Sequence, residues 1–322
     1  MTKLDTEPRL DRDSSPAYRR APHWAAVLAA LFTLPLVYLG GSVTTYRVGM
    51  AVPDWPTTFG VNMFLYNFWN ASFAVLVEHS HRLYASAVGL VTIGLCVWFF
   101  RFEPRRWMRA LGVIALAIVI AQGVLGGLRV LLNSEFLAAS HAVLGQSFFA
   151  LTVALATFTG RDWLSDAEPT PDVEGVRRLA LLAVVLVEAQ IVLGALVRHF
   201  AGAYAALLHG VLGVLILAFL VHLIRALKEN PVPKPSLTRA ARVAEGLAWI
   251  QVFLGTFAFA MLWPFAATSH EVAFYQAVIR TLHQTNGAVL LAATLVTTLR
   301  AHRHLAPASS SPGDPAGVEA GA

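Results

Sequence analysis

Apolar stretches of about 20 residues, the length a helix needs to cross a bilayer, recur eight times along the chain. They lie near 24–45, 73–99, 110–130, 138–159, 179–198, 204–225, 243–264 and 277–299. Short polar segments separate them. The odd-numbered runs end in related small-residue motifs: LGGSVTTYR (39–47), QGVLGGLRV (122–130), QIVLGALVRH (190–199) and QVFLGTFAF (251–259). The even-numbered runs start with a histidine: HRLYA from His81, HAVLG from His141, HGVLG from His209 and HQTNG from His283. A self-similar unit marks a repeat architecture, and here the unit is a helical hairpin. The pattern predicts an all-α membrane protein, eight transmembrane helices arranged as two pseudo-symmetric four-helix bundles. The expected divisions are a tail over 1–22, one half over 23–160, a linker over 161–178, the other half over 179–304 and a tail of disordered composition over 305–322.

Composition supports the membrane reading. The chain is 57% hydrophobic and 13% charged, against about 25% charged in soluble domains, and its mean hydropathy is +0.61. The N-terminal segment mixes acids with bases, unlike a transit peptide, and the first apolar run exceeds a signal peptide's core of about 7–15 residues. A single cysteine, Cys96, leaves no intrachain disulfide and no C-x-x-C site.

Charge sets the expected orientation. Of 24 lysines and arginines, 19 fall in the termini and in the segments 101–109, 161–178 and 225–242. The positive-inside rule then puts both termini in the cytoplasm. Arg47, Arg82, Arg129, Arg198 and Arg280 remain for the outer side. Each is either an interfacial anchor or a contact for a bound anion.

Candidate chemistry gathers at the outer ends of the even runs. The fourth residue after each histidine is small: Ala85, Gly145, Gly213 or Gly287. It shares the histidine's helix face and is expected to leave a slot for a flat ligand. Four histidines suit a tetrahedral metal, but one per hairpin of a two-halved bundle suits two bis-imidazole haem sites better. The outer arginines would then meet haem propionates. The halves differ three residues before the histidine: Glu78 in the second run, but Ala138, Ala206 and Arg280 in the others. Glu78 either neutralises Arg82, four residues on, or serves as an acid, base or charge-stabilising group. His79 lies about 200° around the helix from His81 and cannot ligate the same iron.

These residues resemble the haem A synthase family. The match rests on E-x-x-H-R (Glu78, His81, Arg82), on His141, His209 and His283 in register, and on GMAVPDWPTTFG (49–60), which looks like the family's Asp-Trp-Pro loop. The resemblance implies oxidation of a methyl group of haem O to the formyl group of haem A by successive hydroxylations. It implies a resident b-type haem on His209 and His283, and substrate haem O between His81 and His141 with Glu78 as the catalytic carboxylate. It also implies a bacterial cytoplasmic membrane, with the haem sites toward the outer side. Expected partners are membrane lipid, the haem O synthase and cytochrome oxidase assembly factors. A homo-oligomer is compatible with this reading, and no nucleic acid is expected. One departure stands out: residues 46–72 lack the cysteine pair many bacterial relatives carry in this loop.

Three rivals compete. A non-catalytic di-haem b-type electron-transfer cytochrome would carry the same histidines. A haem-farnesylating prenyltransferase needs paired acidic motifs for its metals, and DWLSD (162–166) is single. A transporter would share the repeated topology, but no run is interrupted at mid-membrane.

Overall fold

A computed structural model describes residues 18–165, 168–172, 174–200, 203–229, 234–262 and 272–307. Eight long helices fall on the eight apolar runs: α1 (Arg20–Thr45), α2 (Phe73–Phe102), α3 (Arg106–Leu131), α4 (Glu135–Phe158), α6 (Val176–Phe200), α7 (Ala203–Glu229), α8 (Pro235–Leu262) and α9 (Phe274–His304). The short helix α5 (Arg161–Leu164) sits in the expected linker. Local signals explain some boundaries. At α4, the Ser134 side chain accepts a hydrogen bond from the Leu137 amide at 3.3 Å, and Glu135 lies in the first turn. Both features suit the positive end of a helix.

Seven of the described helices are long and apolar enough to cross a membrane, α1 to α4 and α6 to α8. The chain is therefore a multi-pass membrane protein. The eighth expected span, α9, falls outside that set. It carries Arg280, His283, Gln284, Asn286 and five threonines from Thr281 onward. Its position accounts for the difference, because α9 packs on α1, α4, α6 and α8. A helix enclosed by helices needs less apolar surface than one facing lipid. Its threonines satisfy themselves within the helix: Thr285 donates to the Thr281 carbonyl, Thr294 to Leu290 and Thr297 to Ala293. Such back-bonding lets a hydroxyl be buried without an unpaired donor. Two of its polar groups also reach neighbours, Thr298 to the Ala180 carbonyl at 2.7 Å and Asn286 Nδ2 to the Leu247 carbonyl at 3.0 Å.

Contacts follow the hairpin order. α1 touches α2 and α4, and α3 touches the same two; α6 touches α7 and α9, and α8 touches the same two. α1 and α4 contact α9, and α4 contacts α6, so the two sets share a seam. One apolar cluster is centred on α6 to α9, the other on α1 to α4.

Two small sheets lie at opposite ends. The antiparallel pair β1 (Thr57–Thr58) and β2 (Val61–Asn62) forms a hairpin in the loop between α1 and α2. β3 (Thr170–Asp172) pairs in parallel with β4 (Leu305–Pro307) just past α9. Residues 305–307, the first of the expected tail over 305–322, form β4. Residues 308–322 and most of the expected N-terminal tail (1–17) lie outside the described residues.

Candidate functional site

The histidines come together in two pairs. The rings of His81 and His141 lie 6.4 Å apart between centroids and are mutually perpendicular, at 90°. Those of His209 and His283 lie 6.1 Å apart, at 82°. No group of three or more His, Cys, Asp or Glu gathers among the described residues. A four-histidine tetrahedral site is therefore not assembled there.

A glycine of the preceding helix seats each imidazole. A Cβ added at Gly40 would stand 3.1 Å from His81 Cε1, and one at Gly126 would stand 3.2 Å from His141 Cε1. At Gly194 it would stand 2.9 Å from His209 Cε1, and at Gly255 2.8 Å from His283 Cε1. The small-residue motifs of the odd runs therefore share one role, which is to let a helix backbone touch the ring of the next helix.

The small residues after the histidines do something other than expected. Against Gly145, Gly213 and Gly287 lie the amides of Gln122, Gln190 and Gln251. Those positions thus hold a glutamine, not an open slot. Gln122 Nε2 donates to the His141 carbonyl at 3.1 Å, and Gln190 Nε2 to the His209 carbonyl at 2.6 Å. Gln251 lies 3.4 Å from His283 Nε2 and accepts from Asn286 at 2.7 Å. Each glutamine precedes its glycine by four residues. The first hairpin departs from this pattern, with Leu36 before Gly40 and Ala85 after His81.

The fit to haem can be tested on these rings. A metal held by imidazole nitrogens at about 2 Å on each side, with roughly 1 Å more from nitrogen to ring centre, separates two ring centres by about 6 Å. Both observed separations meet that requirement. In all four rings Nδ1 is buried and lacks a hydrogen-bond partner. Buried polar atoms are normally satisfied, so the unpartnered nitrogen of each ring is one a ligand could take up. The residues fit a bis-imidazole ligand set in each pair.

Glu78 and its neighbours are organised around the α1–α2 loop. Glu78 is 1% exposed. Its Oε2 accepts from the Val52 amide at 3.0 Å, and its Oε1 from Arg82 at 2.7 Å. Arg82 also donates to the carbonyls of Val52 (2.7 Å), Asp54 (2.6 Å) and Thr57 (3.2 Å). Its guanidinium is thus engaged by loop backbone as well as by Glu78. His79, fully buried, meets Thr58 Oγ1 through Nδ1 at 3.2 Å and packs on the rings of Tyr66 and Phe68. That gives His79 a role distinct from that of His81: it holds the loop, while His81 faces His141. Asp54 closes the turn, accepting from the amides of Phe59 and Gly60, each at 2.8 Å, and from the Thr57 hydroxyl. Burial would raise its pKa, but these hydrogen bonds outweigh burial and hold the carboxyl below its ordinary value. Trp55 lies on Gly127, where any Cβ would overlap its ring at 2.3 Å. In the Gly126–Gly127 doublet the first residue seats His141 and the second seats this loop.

The other arginines separate into groups. Arg129 donates to the Gly49 carbonyl at 2.9 Å. Arg198 donates to the Gly41 carbonyl at 2.7 Å and to Thr45, reaching from α6 to α1. Arg47 is exposed and has a left-handed backbone, φ 58°. Arg280 has no hydrogen-bond or ion-pair partner among the described residues. Sequence reasoning missed Glu188 of α6, whose Oε1 accepts from Ser147 of α4 at 2.8 Å across the seam. A lone acid in an apolar run was the available signal.

Among known proteins, residues 22–207 match the COX15-CtaA family, described as cytochrome oxidase assembly protein. The matched segment contains His81 and His141 and ends before His209. A heme A synthase of Exiguobacterium sibiricum is 29% identical over 182 residues, 54% of this chain and 58% of that protein. A heme A synthase of Halalkalibacterium halodurans is 28% identical over 152 residues, 45% of this chain and 48% of that protein. One from Alkalihalophilus pseudofirmus is 25% identical over 177 residues, 54% of this chain and 58% of that protein. The chain thus spans roughly half the length of these curated relatives.

Proposed function

This chain belongs to the COX15-CtaA family, and from that premise we propose that it is a haem A synthase. It oxidises a methyl group of haem O to the formyl group of haem A by successive hydroxylations. The observation that carries the reading is the pair of histidine sites at bis-imidazole separation, only one of which has a carboxylate three residues before a ligand. In this reading the eight long helices form two four-helix bundles. His209 and His283 hold a resident haem b, and His81 and His141 receive haem O. Both termini lie in the cytoplasm and the histidine ends face outward, as the lysine and arginine bias requires.

Bound haem iron supplies the oxidative chemistry. The chain supplies position and electrostatics. Gly40 and Gly126 seat the two imidazoles, and Trp55 closes the loop against α3. Arg82 and the Val52 amide fix the Glu78 carboxylate. Each carboxylate oxygen keeps a further acceptor site, so Glu78 can take a proton released at the substrate carbon while remaining anchored. Arg47, Arg129, Arg198 and Arg280 are the candidate propionate contacts, and the side chains of Arg47 and Arg280 have no hydrogen-bond or ion-pair partner among the described residues. The supplier of haem O and the assembly factors that accept haem A are the expected partners.

One observation favours a second reading. Both Glu78 oxygens are engaged by the loop clamp, as they would be in an electron-transfer cytochrome where Glu78 is only structural. Glu78→Gln separates the two. The synthase reading expects conversion of haem O to haem A to fall by about 10²-fold or more, with bound haem b retained. Normal conversion by a haem-replete variant would sink it in favour of the cytochrome.

A further inference from the structure

The end of the molecule opposite the histidines has a cavity of about 400 Å³. It lies on the seam, where the start of α1, the ends of α4 and α9, and α5 meet. Its ionisable lining comes from Tyr18, His23, Arg161, Asp162, Arg300 and His304. Two guanidinium groups and two imidazoles thus face a single carboxylate. That carboxylate is already committed: Asp162 Oδ2 lies 3.5 Å from Arg300. Arg161 stands over the Tyr18 ring at 4.8 Å and has no acid partner among the described residues. His304 is 6% exposed and its Nδ1 has no hydrogen-bond partner, and the Arg300 Nε is likewise buried and unpartnered. Two guanidinium groups beside one carboxylate leave the cavity lining with an excess of positive charge, which an anion can balance.

We propose that this cavity is a binding site for one phosphate group, held by Arg161, Arg300 and His304. A phosphate offers several acceptor oxygens, and arginine forks match their spacing. The surroundings suit the headgroup level of a membrane. Trp163 packs on Phe158 at 4.7 Å and Phe158 on Trp107 at 5.0 Å, an aromatic girdle of the kind found at bilayer interfaces. The phosphate comes either from an anionic lipid or from solution. Because the site joins α5 of the linker to both sets of helices, its occupant ties the two halves together at the end remote from the histidines. The proposal does not depend on the haem chemistry.

The test uses the full-length protein, delipidated in detergent, in two arms. Native mass spectrometry compares retention of phosphatidylglycerol and phosphatidylcholine added back in equal amounts. A thermal melt follows added inorganic phosphate. Arg161→Gln removes a cavity cation whose contact is a ring face, and Arg178→Gln, an exposed arginine away from the cavity, is the control. Preferential retention of phosphatidylglycerol, weakened at least tenfold by Arg161→Gln and unchanged by Arg178→Gln, identifies a lipid phosphate. A melting shift with inorganic phosphate that Arg161→Gln abolishes, without lipid preference, identifies free phosphate. Equal retention of both lipids with no phosphate shift overturns the proposal, as does equal weakening by the two variants.

Discussion

Replacing Gly255 by alanine probes the seat of His283 directly. The new Cβ would stand 2.8 Å from His283 Cε1, whereas carbon atoms pack best at about 3.5–4.0 Å. The ring or the helix must therefore yield by roughly 0.7 Å, the shortfall against that range. Alanine favours a helix over glycine by about 0.5–1 kcal/mol, but overpacking a fitted site costs about 1–3 kcal/mol. Overpacking wins, and the softer element is the imidazole, whose Nδ1 has no hydrogen bond to hold it. Turning the ring off its axis spoils the second pair's ligand geometry. If about 1.4–2.8 kcal/mol is lost there, haem affinity falls roughly ten- to a hundredfold. The assay is haem b per protein by pyridine haemochrome, with the Soret spectrum of the purified protein. Gly89→Ala is the internal control, since its Cβ would meet nothing within 4 Å. Gly126→Ala, at 3.2 Å, should give a smaller effect confined to the first pair. A Gly255→Ala protein with wild-type haem content and spectrum would refute the idea that this glycine positions a ligand.

Two other predictions concern the loop clamp. Arg82→Lys leaves one ammonium to replace a guanidinium that reaches three loop carbonyls and Glu78; the Val52 amide should then exchange hydrogen at least tenfold faster, and unchanged protection would count against the clamp. Asp54 has a folded pKa below its ordinary value, so its stabilisation of the turn is present above the unfolded pKa of about 3.9 and is lost as pH falls through the folded pKa. Asp54→Asn should therefore make the loop more protease-sensitive at pH 7, and the gap from wild type should close only in acid below pH 4; a pH-independent gap would remove the carboxylate from the account.

Much of this architecture was legible because each long helix needs its own apolar run, and every run's helix lies within a few residues of its expected bounds, apart from the longer start of α8 and the extended end of α9. The pairing of His81 with His141 and of His209 with His283 followed from the hairpin repeat. The repeat also displayed Gln122, Gln190 and Gln251, each four residues before a glycine, yet their destination was hidden. Which side chain fills a gap depends on the rotation of one helix against another, and periodicity along a single helix does not carry that phase. The same limit made Gly145, Gly213 and Gly287 look like open slots. Arg82 could be paired with Glu78 from their spacing. Its hold on Val52, Asp54 and Thr57 depends on how a loop folds back, and nothing in a helical pattern encodes that. α9 read as an ordinary span because sequence cannot say that four helices surround it.

Gly40 and Gly41 are neighbours on one strip of α1 backbone. Gly40 bears on His81, while Gly41 bears on Thr281 and on Gln284, the residue after His283. One peptide unit of α1 therefore touches His81 on one face and, about 100° around the helix, the α9 residues Thr281 and Gln284 that flank His283. α2 and α9 act like two instruments bolted to one beam: any tilt of α1 registers on both. A bulkier residue at either glycine would therefore press on a different half of the molecule, Gly40 on the first histidine pair and Gly41 on the helix that carries His283.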